Sequence, residues 1–231
     1  MMRTLLPLCL LLSSPCLGPP FAVQGQSIPS PYRHIERGQE AGLFVGTFSA
    51  ATGQFDLGPK SGLLIGGRYA VELGGPVFLE GMASLLPTTR DIIDPRRVEG
   101  DRSIGEADVS LVAIDVRFGF SLTGRRTWNG LSPYIFAGGG LAFDGASRAD
   151  LEEALLPEDR FEFGTSFTTG FGGGVRYAIS QALILRSDLG LNLWKLSTPT
   201  GFDDPTKNLG AVPEDAWVGG WGFTLGASWR F

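Results

Sequence analysis

The sequence predicts an all-β fold, an eight-stranded antiparallel up-and-down transmembrane β-barrel, on three observations. Apolar residues alternate with small or polar ones in segment after segment. Long and short connections alternate between those segments. Glycine, at 34 of 231 residues, is about twice its usual ~7% share without forming a low-complexity tract. Strand side chains point to opposite faces in turn, so a period of two marks a half-buried strand. The end of the chain states the pattern most clearly: Trp217, Gly219, Trp221, Phe223, Leu225, Ala227, Trp229 and Phe231 share one face. Val218, Gly220, Gly222, Thr224, Gly226, Ser228 and Arg230 share the other.

Taken in order, residues 1–25 carry one early Arg3, an apolar stretch and a small-residue exit at Val23 and Gly25, the layout of a cleaved secretory signal peptide. Cys9 and Cys16 both lie within it, preceded by Leu8 and Pro15 rather than the small residue a lipid-attachment signal needs. The exported chain therefore has no thiol or disulfide chemistry and depends on packing. Loss of Arg3 moves the formal charge from −5 to −6, and no basic run remains, which excludes nucleic acid as a partner. Residues 26–39 read as a polar lead-in without regular structure, and 40–231 as one domain. No later stretch approaches the ~18 consecutive apolar residues of a membrane helix.

Alternation is clear at 62–73, 110–122, 161–179, 182–194 and 217–231, and weaker at 40–49, 76–86 and 133–143, about eight strands in all. Each is near the ~10 residues that a tilted membrane strand needs. The connections then fall at 50–61, 74–75, 87–107, 123–131, 144–160, 180–181 and 195–216. Such long–short alternation is what a barrel with external loops and periplasmic turns requires. Gly74–Gly75 and Asn129–Gly130 supply turn chemistry, and the helical spacing of 148–159 predicts a short helix in the third long connection.

A soluble barrel would turn the same alternation inside out and put Lys and Glu on its wet face. Here the polar faces are mostly Gly, Ser and Thr, which suits the narrow interior of an eight-stranded barrel. The inward set places Arg68, Arg117, Arg176, Arg186 and Arg230 against Glu72, Glu80, Asp115, Glu162 and Asp188. Five charges oppose five, a balanced plug that closes the lumen. Two aromatic belts are expected at the membrane interfaces. One holds Tyr69, Trp128, Tyr134, Tyr177, Trp229 and Phe231, the other Phe48, Phe143, Phe161, Phe163, Trp194, Trp217 and Trp221.

On the leader, the segment "PYIFAGGGLAF" and the final "FTLGASWRF", the chain resembles the small outer-membrane β-barrels, the OmpA-type transmembrane domain and its relatives. The resemblance implies residence in the bacterial outer membrane, contact with its lipids, and assembly by the insertion machinery. Phe223, Leu225, Trp229 and Phe231 match the family's insertion signal position by position. The sequence stops at Phe231, so the peptidoglycan tether of the OmpA type is not expected of it.

Barrel enzymes of the outer membrane need a histidine beside a nucleophile or carboxylate. The single histidine, His34, lies in the lead-in, and the exported chain has no cysteine for a metal. No enzyme and no cofactor is expected. The runs Gly138–Gly140 and Gly172–Gly174 lie inside strands and lack the strand–turn–helix context of a phosphate loop. Two classes are left: a structural or surface-interaction barrel whose external loops meet an unknown partner, and a narrow channel or transporter for small solutes. The strand count favours the first, because eight strands leave little bore.

Overall fold

The computed structural model of the chain describes residues 30–146, 149–207 and 209–231. The expected signal peptide, residues 1–25, and residues 26–29 lie outside the described residues. Ten strands form among the described residues: β1 (Tyr32–His34), β2 (Gln39–Ala50), β3 (Gly62–Gly74), β4 (Val77–Ile93), β5 (Ser103–Ser121), β6 (Arg126–Trp128), β7 (Leu131–Asp144), β8 (Thr165–Ala178), β9 (Leu183–Ser197) and β10 (Asp215–Arg230).

Eight of them, β2 to β5 and β7 to β10, pair with their neighbours in chain order, all antiparallel. Pairing of β10 with β2 closes the barrel, from Gly220–Ala50 to Arg230–Glu40. The last residue is held as well: Phe231 N–H donates to the Gln39 carbonyl at 3.0 Å, and Gln39 N–H donates back at 3.3 Å. A chain end that would otherwise fray is thus part of the closing ladder.

Tight turns lie at one end of the barrel and the long connections at the other: loop 1 (51–61), loop 2 (94–102), loop 3 (145–164) and loop 4 (198–214). At the turn end, β6 and β7 meet through Asn129 (φ 50°) and Gly130 (φ 83°), a two-residue hairpin that needs left-handed backbone. The lead-in is more ordered than its polarity suggests. There β1 pairs with β6, Asn129 N–H donates to the Pro31 carbonyl at 2.9 Å, and Ile35 is buried.

Three features differ most from the sequence reading. β4 and β5 pair as far as Ile93 and Ser103, well beyond the β3–β4 ladder, which stops at Ile65–Leu85; the connection is 94–102 rather than 87–107. The expected helix in loop 3 is two short 3₁₀ turns, Asp150–Ala154 and Pro157–Asp159. β8 starts at Thr165 rather than 161, because Gly164 takes a φ of 60° and breaks the extended backbone.

The apolar faces point outward. Leu43, Ile114, Phe118, Phe171, Leu189 and Leu225 are each more than half exposed on the described chain, a band that only an apolar surrounding would cover. Phe223 is exposed in the same row, and Tyr69, Tyr177, Trp229 and Phe231 edge the band at the turn end; Trp217 and Trp221 edge it at the loop end. Four residues assigned to the belts face the other way. Tyr134, Phe48, Phe161 and Trp194 are buried inside, and Phe163 packs against the buried cluster at the loop end. These rings turn inward because a narrow lumen is filled by large side chains.

The lumen: a charged tier beneath an apolar cap

Inward positions carry two different fillings. Toward the turn end the lumen is charged. Arg186 on β9 donates to Glu80 on β4 at 2.6 Å and to Glu40 on β2 at 3.1 Å. Its Nη2 also donates to the Tyr134 hydroxyl at 2.8 Å, and that hydroxyl donates to Asp188. Asp188 in turn pairs with Arg68 on β3. Glu40 also meets Arg176 at 3.5 Å and Arg230 at 3.3 Å, and Arg176 reaches Glu72 at 3.4 Å. Arg176 and Arg186 are direct register partners on β8 and β9, so two like charges stand opposite each other. Such a pair repels unless a carboxylate lies between, and Glu40 contacts both.

Rings separate these ions. The Arg176 guanidinium lies 4.0 Å from the Phe78 ring centroid, Arg68 lies 4.6 Å from Phe44, and Arg117 lies 4.7 Å from Phe136. Cation–π contacts of this kind stabilise most when desolvated, as here. The small inward residues make room for the rings. Phe78 is 1% exposed and sits over Gly119, where any Cβ would fall inside the ring.

The ten charges expected in the lumen are thus mostly brought together, with two qualifications of place. Glu162 lies in loop 3, exposed and outside the lumen, because the break at Gly164 ends the strand before it. Asp115 and Arg117 face inward but form no ion pair among the described residues; Asp115 accepts from Thr168 Oγ1 at 2.8 Å. The residue that the sequence reading missed is Glu40, the acid with the most arginine partners. Its signal was present: Glu40, Gly42, Phe44, Gly46 and Phe48 alternate with Ala41, Leu43, Val45 and Thr47, but with the rings on the inner face. Exchanging Glu162 for Glu40 leaves five cations against five anions.

Toward the loop end the filling is apolar. Phe48, Leu86, Leu111, Trp194, Leu196 and Val218 join Leu57 of loop 1, Phe161 of loop 3 and Phe202 of loop 4 in one buried cluster. Phe55 and Phe202 tie loops 1 and 4 with ring centroids 5.4 Å apart. Ion pairs fasten the cap from above: buried Arg90 of β4 holds buried Glu152 of loop 3, and Lys207 of loop 4 holds Asp159 of loop 3 at 2.5 Å. A groove of about 790 Å³ crosses the outer surface between loops 2, 3 and 4, with Arg96, Arg97, Arg102, Glu158 and Lys207 on its walls. Among the described residues no group of three His, Cys, Asp or Glu is placed to hold a metal, and His34 is exposed on β1.

No protein-family model matches the sequence, and a search of curated proteins finds no significant match. Solved structures do match. The outer membrane protein OprG from Pseudomonas aeruginosa aligns over 87% of this chain and 99% of its own, at 13% identity and a TM-score of 0.53. Neisserial surface protein A aligns over 87% and 98%, at 15% identity and a TM-score of 0.49. The N-terminal β-barrel domain of P. aeruginosa OprF aligns over 84% and 98%, at 14% identity and 0.46. With eight strands closed in antiparallel order and an apolar outer face, the chain has the fold of the small eight-stranded outer-membrane β-barrels.

Proposed function

We propose that this protein resides in the bacterial outer membrane, after export by a cleaved signal peptide, and has a structural or surface-interaction role with a closed lumen. The observation that carries this reading is the double filling of the interior, ions toward the turns and an apolar cluster toward the loops. Hydrated ions would have to displace paired charges and then cross a dry constriction, two barriers of opposite chemistry. Outer-membrane lipids cover the apolar face, and the insertion machinery reads Phe223, Leu225, Trp229 and Phe231 during assembly. No cofactor, nucleic acid or catalytic group enters this reading. The surface role falls to the loops, whose mutual ion pairs hold the groove between them in one shape.

Single-channel recording of refolded protein in planar bilayers tests it. Conductance is expected near background for the wild type and for Asp115→Ala, with Arg186→Ala lowering thermal stability. A large, steady wild-type conductance would instead favour the second reading, a narrow channel or transporter for small solutes, which draws on the small cavity left inside the barrel.

A further inference from the structure

The charges that stand outside the lumen are unevenly shared between the two ends of the barrel. At the loop end acids outnumber cations, and Lys60, Arg96, Arg97, Lys195 and Lys207 each pair with one. The turn end carries Arg33, Arg37, Arg125 and Arg126 against a single acid, Glu36, among the described residues. Among those residues none of the four arginines forms an ion pair. Arg37 and Arg125 donate to backbone carbonyls, of Arg230 at 2.9 Å and of Ile35 at 3.5 Å, whereas Arg33 and Arg126 are exposed on the ribbon of β1 and β6. Across that ribbon Tyr32 faces Trp128; Trp128 then faces Leu131 on β7, and Leu131 faces Tyr177 on β8. Register partners share a face, so this row carries the aromatic edge of the lipid-facing band out onto the ribbon. Tyr32, Trp128 and Tyr177 are each about half exposed. Two residues along, or roughly 7 Å, the same face bears His34 opposite Arg126.

We propose that the β1–β6 ribbon binds anionic phospholipid headgroups of the periplasmic leaflet, with Arg126 on the phosphate and Tyr32 and Trp128 at the boundary of headgroup and acyl chain. It rests on the outer-membrane reading proposed above, with the turns in the periplasm. Tyrosine and tryptophan rings favour the headgroup level, and a guanidinium beside them takes a phosphate through two parallel hydrogen bonds. An arginine without a carboxylate partner gains most from such an anion, because no ion pair has to be broken first. Arg33, on the opposite face of β1, adds to the positive potential that draws the headgroup in. The apolar band is indifferent to headgroup charge, and the acidic loop end repels it. Anionic lipid is therefore sorted to the turn end, and the lead-in that supplies β1 is what makes the site.

The test is to refold the protein into vesicles of equal phosphatidylglycerol and phosphatidylcholine, extract it in mild detergent and count the lipids it retains. Wild type is expected to keep phosphatidylglycerol several-fold over phosphatidylcholine, and to lose that preference at high salt. A basic residue at an anionic surface contributes about fivefold, so the double variant Arg33→Gln, Arg126→Gln should bring the retained ratio close to one. Both side chains are exposed, and the double variant should refold as wild type does. Arg97→Gln with Arg102→Gln removes the same charge at the loop end and should keep the wild-type ratio. A wild-type ratio near one, a ribbon variant that keeps the preference, or a loop-end variant that loses it would overturn the proposal and leave the outer-membrane reading standing. Failure of the wild type to refold into vesicles of either lipid, seen as gel mobility unchanged by heating, would overturn both.

Discussion

Glu40 and Arg230 face each other across the β2–β10 seam, register partners joined by an ion pair of 3.3 Å. Because Glu40 also meets Arg176 and Arg186, one carboxylate on the first barrel strand gathers a cation from each of the last three. The seam therefore closes on a charge match as well as on backbone hydrogen bonds. Correct closure is rewarded at the moment the two ends of the barrel meet.

Glu40→Gln keeps the shape of the side chain and removes its charge, leaving Arg176, Arg186 and Arg230 to share the remaining acids. Deleting one partner of a buried pair costs about 3–5 kcal/mol. The temperature at which the refolded barrel loses its compact gel mobility should fall clearly. Asp101→Asn, whose side chain is 75% exposed, should leave it in place. Equal transitions in the two variants would show that the seam does not depend on the charge.

Gly119→Ala should destabilise the barrel through Phe78 rather than through backbone propensity. The new methyl group occupies the volume of the ring, and overpacking of this kind costs about 1–3 kcal/mol. The double variant Gly119→Ala, Phe78→Leu should recover part of that loss in the same melting assay. No recovery would mean that the contact is not the cause.

Loop 2 should loosen in acid. Partial burial of Asp94 works against its charge, but hydrogen bonds from the Arg96 side chain and backbone N–H outweigh it and hold the carboxyl below its ordinary value of 3.8. A depressed carboxyl contributes stability above its unfolded value, and that contribution is lost as pH falls through the folded one. Pepsin cleavage at 94–102 should therefore rise more steeply below about pH 4 in wild type than in Asp94→Asn, which has already lost the charge. Parallel pH profiles would rule this out.

Phe231→Ala should separate assembly from stability. The side chain is 52% exposed on the outer face, its ring centroid 6.5 Å from that of Tyr69. Its burial in lipid is worth at most roughly 1.5–3 kcal/mol. If Phe231 also belongs to the insertion signal, the variant should refold in detergent yet reach the outer membrane of cells in reduced amount. Equal yields in fractionated cells would leave it an interfacial anchor. Phe48→Ala, which opens a hole in the apolar cap instead, should fail in the melting assay first.

The alternation of β5, β9 and β10 was readable because a lipid-facing row and a lumen-facing row differ in chemistry at nearly every step. It blurred in β2 and β7, where Phe44, Phe48, Tyr134 and Phe136 fill the lumen and make the two faces look alike. Glu162 was misplaced for a related reason. Phe161, Phe163 and Phe167 keep a period of two across Gly164, and the sequence does not announce that this glycine takes a positive φ. The pairing of Glu40 with three arginines depends on barrel closure, which brings together residues some 190 positions apart. No local pattern encodes that.

The apolar cluster beneath the loops also bears on where this protein can change. Phe161 and Phe202 sit in surface connections by sequence, yet both are buried in the apolar cluster with strand residues, so lengthening the chain near them would disturb the fold itself. The tip of loop 2 is different: Val98 is 75% exposed, and Gly100 already adopts a left-handed turn. Sequence drift, and any foreign epitope grafted for surface display, will be tolerated at 98–100 and rejected at 161 and 202, although all three are equally external on paper.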